Sequence, residues 1–280
     1  MATHARDTLA APIEEALNAW GVWGRQFPSV VSRPALGEVL GAGSANTVFV
    51  LDHTPALVLR VRHTADSMSV NTPEQEIAIW EQAAALGMAP STAWVGQHSG
   101  AVITTRLQFN GVDPTVHSKL LRRIHESSIT ASRLSLEQTA CRYTRQIESK
   151  GLGHLALDVN IPAILDDLRL LDNEVPCFCH NDLTPRNVGC SKGNYLAIDW
   201  EYAASGSRHF DIAIASQGMH IASRNGFAKT TAGVFFDKNS WQAACRVALL
   251  MEHLWTLAVL GQVEDSFSRT SLGKQWMPHE

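Results

Sequence analysis

His180-Asn181-Asp182-Leu183-Thr184-Pro185-Arg186-Asn187, followed by Ile198-Asp199-Trp200, is the stretch that decides how this chain is read. It has the form H-x-D-x₄-N, with a second aspartate at the end of a short apolar run. Moving a phosphoryl group needs a carboxylate beside the attacking hydroxyl and oxygen ligands for the Mg²⁺ that neutralises the phosphates. Asp182 suits the first role, and Asn187 and Asp199 suit the second. The intervening Ser191-Lys192-Gly193-Asn194 predicts a hairpin turn centred close to Gly193, from which residues 187 and 199 are equidistant. Facing each other across such a hairpin, their Cβ atoms would be about 5 Å apart, close enough to share one ion. Alone, each of these residues reads as a turn cap or a strand end; together, in this register, they read as a catalytic set.

HNDLTPRN and IDW resemble the catalytic-loop and metal-loop motifs of the protein-kinase-like superfamily, in particular its aminoglycoside phosphotransferase and choline/thiamine kinase branch. Ile198-Asp199-Trp200-Glu201-Tyr202-Ala203 is similar to that branch's I-D-[FW]-E-Y-A element, and Phe210-Asp211-Ile212-Ala213 to its F-D-[IL]-A element. The resemblance implies an α+β, two-lobed kinase-like fold: a β-rich N-terminal lobe over 1–107, a helical C-terminal lobe over 108–280, and an ATP cleft between them. It also implies ATP and Mg²⁺ as cofactors, with Asp182 catalytic and His180 bracing the loop beside it.

The N-terminal half agrees with this resemblance. Leu40-Gly41-Ala42-Gly43-Ser44-Ala45-Asn46-Thr47 looks like a phosphate-covering loop, in which backbone N–H groups and small side chains approach phosphate oxygens. Position 46 is Asn and Val48-Phe49-Val50-Leu51 has strand character, whereas a dinucleotide-binding loop needs a third glycine and a following helix. Gly43, Ser44, Asn46 and Thr47 are therefore the expected nucleotide contacts. Arg60, in Leu57-Val58-Leu59-Arg60-Val61, stands where related kinases carry a phosphate-binding cation, with Arg62 as its rival. Glu76, with Glu74 as the alternative, is expected to pair with Arg60 from the following helix. Thr104-Thr105-Arg106-Leu107 falls at the family's adenine-binding hinge, where Thr105 and Leu107 offer backbone groups. Leu120-Leu121-Arg122-Arg123-Ile124-His125 resembles the first helix of the C-terminal lobe, with His125 structural.

Around these motifs the periodicity predicts a helix over 12–20, strands over 47–51 and 56–61, and a helix over 72–86. Thr72 would cap that helix, Pro73 open it and Gly87 close it. Strands over 94–95 and 101–105 follow, then helices over 115–125, 136–149 and 161–171 and a strand over 176–179. The order, β-rich then helix-rich with a boundary at 106–112, suggests two lobes.

Bulk properties narrow the partners. The 280 residues are 45% hydrophobic and 18% charged, with a formal net charge of -4. No positive excess is available for a phosphate backbone, so no nucleic-acid partner is expected. The most apolar stretch, 243–263, is interrupted by Arg246, Glu252 and His253 and reads as a buried helix rather than a membrane span. Nothing near Met1 resembles a secretory signal, and the five cysteines are unevenly spaced, as expected of reduced thiols in a cytoplasmic protein. Cys177-Phe-Cys179 lacks the C-x₂-C spacing of a metal knuckle and reads as two small core residues on one strand face. Among the expected acceptor contacts are Glu201, Asp211 and Trp255, an acidic and aromatic set suited to a small cationic molecule such as choline, ethanolamine or thiamine. An aminoglycoside or sugar kinase with the same machinery is the alternative.

Overall fold

A computed structural model describes residues 9–27, 30–42, 46–52, 54, 56–63, 68–96, 99–156 and 161–261. The chain divides into two compact units. The first comprises Met1–Gly111 together with Val188–Glu201, and the second Val112–Asn187 together with Tyr202–Glu280.

The first unit is built on a five-stranded antiparallel sheet. Its strands are β1 (Leu36–Ala42), β2 (Asn46–Leu51), β3 (Leu57–Arg62), β4 (Thr92–Val95) and β5 (Val102–Thr105), in the spatial order β1-β2-β3-β5-β4. Alternation along β3 decides what each face does. Leu57, Leu59 and Val61 point to one face, where they join Phe49, Leu51 and Ile103. Helices α1 (Ala10–Asn18) and α2 (Trp20–Trp23) pack Ile13, Leu17 and Trp23 into the same core. Val58, Arg60 and Arg62 point to the opposite face, so the period of two brings both arginines together. Helix α3 (Pro73–Ala85) begins with a capping box in which Thr72 and Gln75 satisfy each other's backbone N–H groups, with Pro73 at its first position. The cap fixes where the helix starts, and with it the placement of Glu76 in the first turn.

A hairpin from later in the chain completes this unit. Strands β7 (Val188–Ser191) and β8 (Asn194–Ala197) pair from Val188↔Ala197 to Ser191↔Asn194. Lys192 and Gly193 form the two-residue turn with φ of 50° and 81°, the left-handed pair that a tight hairpin demands. The hairpin is tied down by Ala197 N–H donating to Met88 O at 2.7 Å and by paired backbone bonds between Gln108 and Cys190. Gly189 lies against Leu107, and a Cβ at this position would come within 2.7 Å of the leucine Cβ.

The second unit is helical: α4 (Pro114–His125), α5 (Leu136–Ser149), α6 (Gly153–Ala156), α7 (Ile161–Asp172), α8 (Arg208–Ala215), α9 (Ile221–Ala232) and α10 (Lys238–Trp255). One small antiparallel ribbon pairs β6 (Cys177–Cys179) with β9 (Ala204–Gly206). Helix α10 continues as a π-turn over Thr256–Leu260, and the combined segment is long and apolar enough to cross a membrane by length and composition. It packs on α7 and α8 and buries Trp241, Val247, Met251 and Leu254, as a core helix does.

Candidate active site

Within the helical unit, the segment from His180 to Asn187 leaves β6 and is held at several points. Asp211, on α8, is completely buried. Its carboxylate accepts the backbone N–H of His180 at 2.9 Å and of Asn181 at 2.7 Å, and Nε2 of His125 at 2.9 Å. Burial alone would raise the Asp211 pKa. The hydrogen bond and charge of His125, the His180 charge and the His180 N–H outweigh it and hold the carboxyl below its ordinary range. Asn181 takes left-handed backbone at φ 62° and donates its side-chain amide to Tyr202 O at 3.0 Å. His117, fully buried on α4, bonds Leu183 O through Nε2 at 2.7 Å. Burial, opposed by that carbonyl and by Asp211, pulls the His117 pKa below its ordinary value.

These anchors present Asp182, which is half-buried. Asn187 grips it: Nδ2 donates to the Asp182 carbonyl and to Oδ2, both at 2.8 Å. The amide nitrogen is therefore committed to Asp182, and Oδ1 is the atom of Asn187 left to meet a cation. An ionised carboxylate and an amide oxygen are hard donors of the type Mg²⁺ accepts.

In the sheet unit, Arg60 and Arg62 converge on Glu76, which is 1% exposed. Arg60 Nη2 meets Glu76 Oε1 at 2.5 Å and Arg62 Nη1 meets Oε2 at 2.8 Å. Glu76 rather than Glu74 is the partner; Glu74 is exposed at the helix start. Arg60 also lies 3.4 Å from Asp199 Oδ1, an atom that Asn46 Nδ2 approaches at 3.4 Å. Burial works against the Arg60 charge, but Glu76, Asp199 and Glu201 more than offset it and raise its pKa. Asp199 has φ 68°, a left-handed conformation that an ordinary residue adopts only where the surroundings impose it. Glu201 is buried 3.6 Å from Arg62, and its Oε2 accepts no hydrogen bond among the described residues. Burial first, then the Asp199 and Glu76 charges, push its pKa up to about 8 against the pull of Arg62 and Arg60.

The sequence-based expectations meet this geometry unevenly. The hairpin register is centred between Lys192 and Gly193, and its pairing ends at Val188↔Ala197, so neither Asn187 nor Asp199 belongs to the ladder. The equal spacing about Gly193 is corrected by half a residue, because the turn has two left-handed residues rather than one at its apex. Asp211 cannot line an acceptor site, since none of its surface is exposed and both oxygens hold the loop that begins at His180. Glu201 is buried beside Arg62 and, with a pKa near 8, supplies little negative charge at neutral pH for a cationic acceptor. Trp255 is half-buried and donates Nε1 to Tyr202 Oη at 2.9 Å. Thr47 is buried and bonded to His63 at 2.7 Å. Thr105 ends β5, and Leu107 packs against Gly189. Gly43 and Ser44 lie outside the described residues. Sequence reasoning missed His117 and the sharing of Glu76 by both arginines. The two-residue spacing of Arg60 and Arg62 carried a signal for the second.

A five-stranded antiparallel unit and a helical unit carrying an H-x-D-x₄-N loop define the kinase-like class. Residues 37–244 match the model of the phosphotransferase enzyme family, and the chain belongs to that family. A protein LicA homolog of Mycoplasma capricolum is 30% identical over 93 residues, which are 33% of this chain and 38% of that protein. The match thus spans well under half of that relative's length. Among solved structures, an ethanolamine kinase of Plasmodium vivax superposes with a TM-score of 0.64 at 15% identity, over 93% of this chain and 85% of its own. Choline kinase LicA from Streptococcus pneumoniae gives 0.64 at 15% identity, over 92% and 95%. The GDP and kanamycin complex of APH(2")-IIia gives 0.59 at 15% identity, over 86% and 91%. At these identities the structural matches establish the fold, and the family match makes the chain a phosphotransferase.

Proposed function

We propose that this chain is a cytoplasmic kinase that uses ATP and Mg²⁺ to phosphorylate a hydroxyl of a small cationic alcohol of the choline, ethanolamine or thiamine kind. The observation that carries the reading is the grip of Asn187 on Asp182, within a loop anchored by Asp211, His117 and Asn181. A half-buried carboxylate so fixed can orient an attacking hydroxyl and take its proton as the oxygen–phosphorus bond forms and the bond to the β-phosphate oxygen breaks. Bound Mg²⁺ would neutralise charge on the phosphates, and Asn187 Oδ1 and the Asp199 carboxylate are the oxygens assigned to it. Arg60 is assigned to the phosphates, its guanidinium held in place by Glu76 and stacked 5.5 Å from the Trp80 ring centroid. Asn46 and Thr47 flank the proposed nucleotide loop.

The cationic acceptor is supported by the Ile198–Ala203 motif, by the likeness to an ethanolamine kinase and a choline kinase, and by the half-buried Trp255 and Tyr202 rings. It draws no support from Glu201 or Asp211. An acceptor panel of choline, ethanolamine, thiamine, kanamycin and neutral sugars, read by ADP formation from ATP, tests it. Turnover of choline, ethanolamine or thiamine is the expected result. Turnover of kanamycin or a sugar alone would overturn the acceptor class and leave the kinase, consistent with the likeness to APH(2")-IIia. No ADP formation with any acceptor would count against the kinase reading itself.

A further inference from the structure

A second site lies behind the catalytic loop, wholly within the helical unit. Cys177 and Cys179 occupy the two ends of β6, so their side chains share one face. Their Sγ atoms are 3.7 Å apart. His125, the last residue of α4, brings a ring nitrogen to the pair, and the three donor atoms lie within 4.8 Å of one another. The His125 side chain is fully buried. Its Nε2 donates to Asp211 Oδ2, while Nδ1 has no hydrogen-bond partner among the described residues. A buried ring nitrogen without a partner, on a ring that also reaches two thiols, calls for an explanation that small core residues do not supply.

We propose that His125 Nδ1, Cys177 and Cys179 form a binding site for a thiophilic divalent cation such as Zn²⁺. Tetrahedral geometry with metal–sulfur bonds of about 2.3 Å sets a sulfur–sulfur edge of about 3.8 Å, which the two thiols already have. The matching sulfur–nitrogen edge is about 3.5 Å, so with the donors within 4.8 Å a ring nitrogen has about 1.3 Å to close at most. Binding releases two protons, one from each thiol, and the two thiolates neutralise the ion in this buried place. The weak thiol contacts of Cys179 to Ser207 O and Cys177 O, both 3.5 Å, are given up with its proton. Cys177 is half-buried, which leaves an approach for the ion and for water as the fourth ligand. Asp211 fixes the proton on Nε2 and the orientation of the ring, the usual carboxylate support of a histidine ligand. Because Asp211 also holds the His180 and Asn181 N–H groups, an ion here would act on the same anchor that positions Asp182.

The full chain, reduced, is titrated with Co²⁺ as a spectroscopic stand-in, and Zn²⁺ is then used to displace it against a chromophoric chelator. One equivalent and a thiolate-to-cobalt charge-transfer band are expected. Losing a supporting group outside the ligand shell typically costs 10- to 100-fold in affinity, so Cys177→Ser and Cys179→Ser should each cost about 100-fold or more. A double Cys141→Ser, Cys190→Ser variant should keep the stoichiometry and the band. The half-buried Cys177 carries the test if Cys179→Ser does not fold, and its thermal melt checks that the variant is native. No band in the wild-type protein, or a band unchanged in Cys177→Ser, would overturn the proposal. This readout is independent of phosphotransfer and of the acceptor.

Discussion

Replacing Asp211 by Asn keeps the size of a buried side chain and removes its second acceptor oxygen. In the native protein Oδ1 accepts the Asn181 N–H, while Oδ2 accepts the His180 N–H and His125. An asparagine can satisfy one of these two sides and must turn its own NH₂ against donors on the other. Hydrogen bonds to a charged group contribute about 1.5–3 kcal/mol, and an unsatisfied buried donor costs about 1–3 kcal/mol. The expected loss of stability is about 2–4 kcal/mol, or roughly 5–15 °C in Tm for a chain of this size. The loop should also shift, and a displacement of about 1 Å at a catalytic group can cost about 100-fold in kcat. Nucleotide affinity should change little. The acid limb provides a further check. The folded-state pKa of Asp211 is depressed, so its contribution is present above the unfolded value near 4 and is lost as pH falls through the lower folded value. The gap between wild type and Asp211→Asn should therefore be full at pH 7 and shrink below about pH 4. Thermal melts across pH, with kcat at pH 7, measure all three effects. A variant within about 0.5 kcal/mol of wild type and within a few-fold in kcat would refute the assignment of Asp211 as loop anchor.

Glu76→Ala strands two buried arginines and should destabilise the protein by about 3–5 kcal/mol, measured by denaturant melts; a loss below about 1 kcal/mol would show that the pair is not buried in solution. In metal-free protein Glu201 holds its proton up to a pKa of about 8, far above its unfolded value, so stability should fall as pH rises from about 4.5 to 8 and level off above. Glu201→Gln should remove that slope and gain on the order of 4 kcal/mol at pH 8; parallel wild-type and variant curves would contradict it. Gly189→Ala drives a methyl into Leu107 and should cost about 1–3 kcal/mol in the same melts, whereas a neutral result would mean the hairpin gives way freely.

What could be read in the sequence was what local chemistry specifies. Thr72 and Pro73 announce the start of α3, and the structure places it there, with Gln75 closing the second capping bond. Alternation along 57–62 announces a strand whose two arginines share a face. The H-x-D-x₄-N spacing is local as well, because Asn187 reaches Asp182 within a single turn of chain. What failed depended on partners distant in sequence. The Phe210-Asp211-Ile212-Ala213 element was legible as a motif but the role of Asp211 was not, because only the return of α8 beneath β6 turns it inward onto the loop. His117 sits on a helix face whose neighbours the sequence does not reveal. The hairpin register failed by half a residue because Lys192, a non-glycine, accepts left-handed backbone beside Gly193.

The central claim is that Asp182 is the group that orients and deprotonates the acceptor hydroxyl. Asp182→Asn keeps the side chain's shape and one of its oxygens for Asn187 while removing its basicity. With the best acceptor from the panel, kcat should fall by about 100-fold or more while the affinity for ATP, measured by calorimetry in the presence of Mg²⁺, stays within about three-fold. Turnover within a few-fold of wild type would contradict the account.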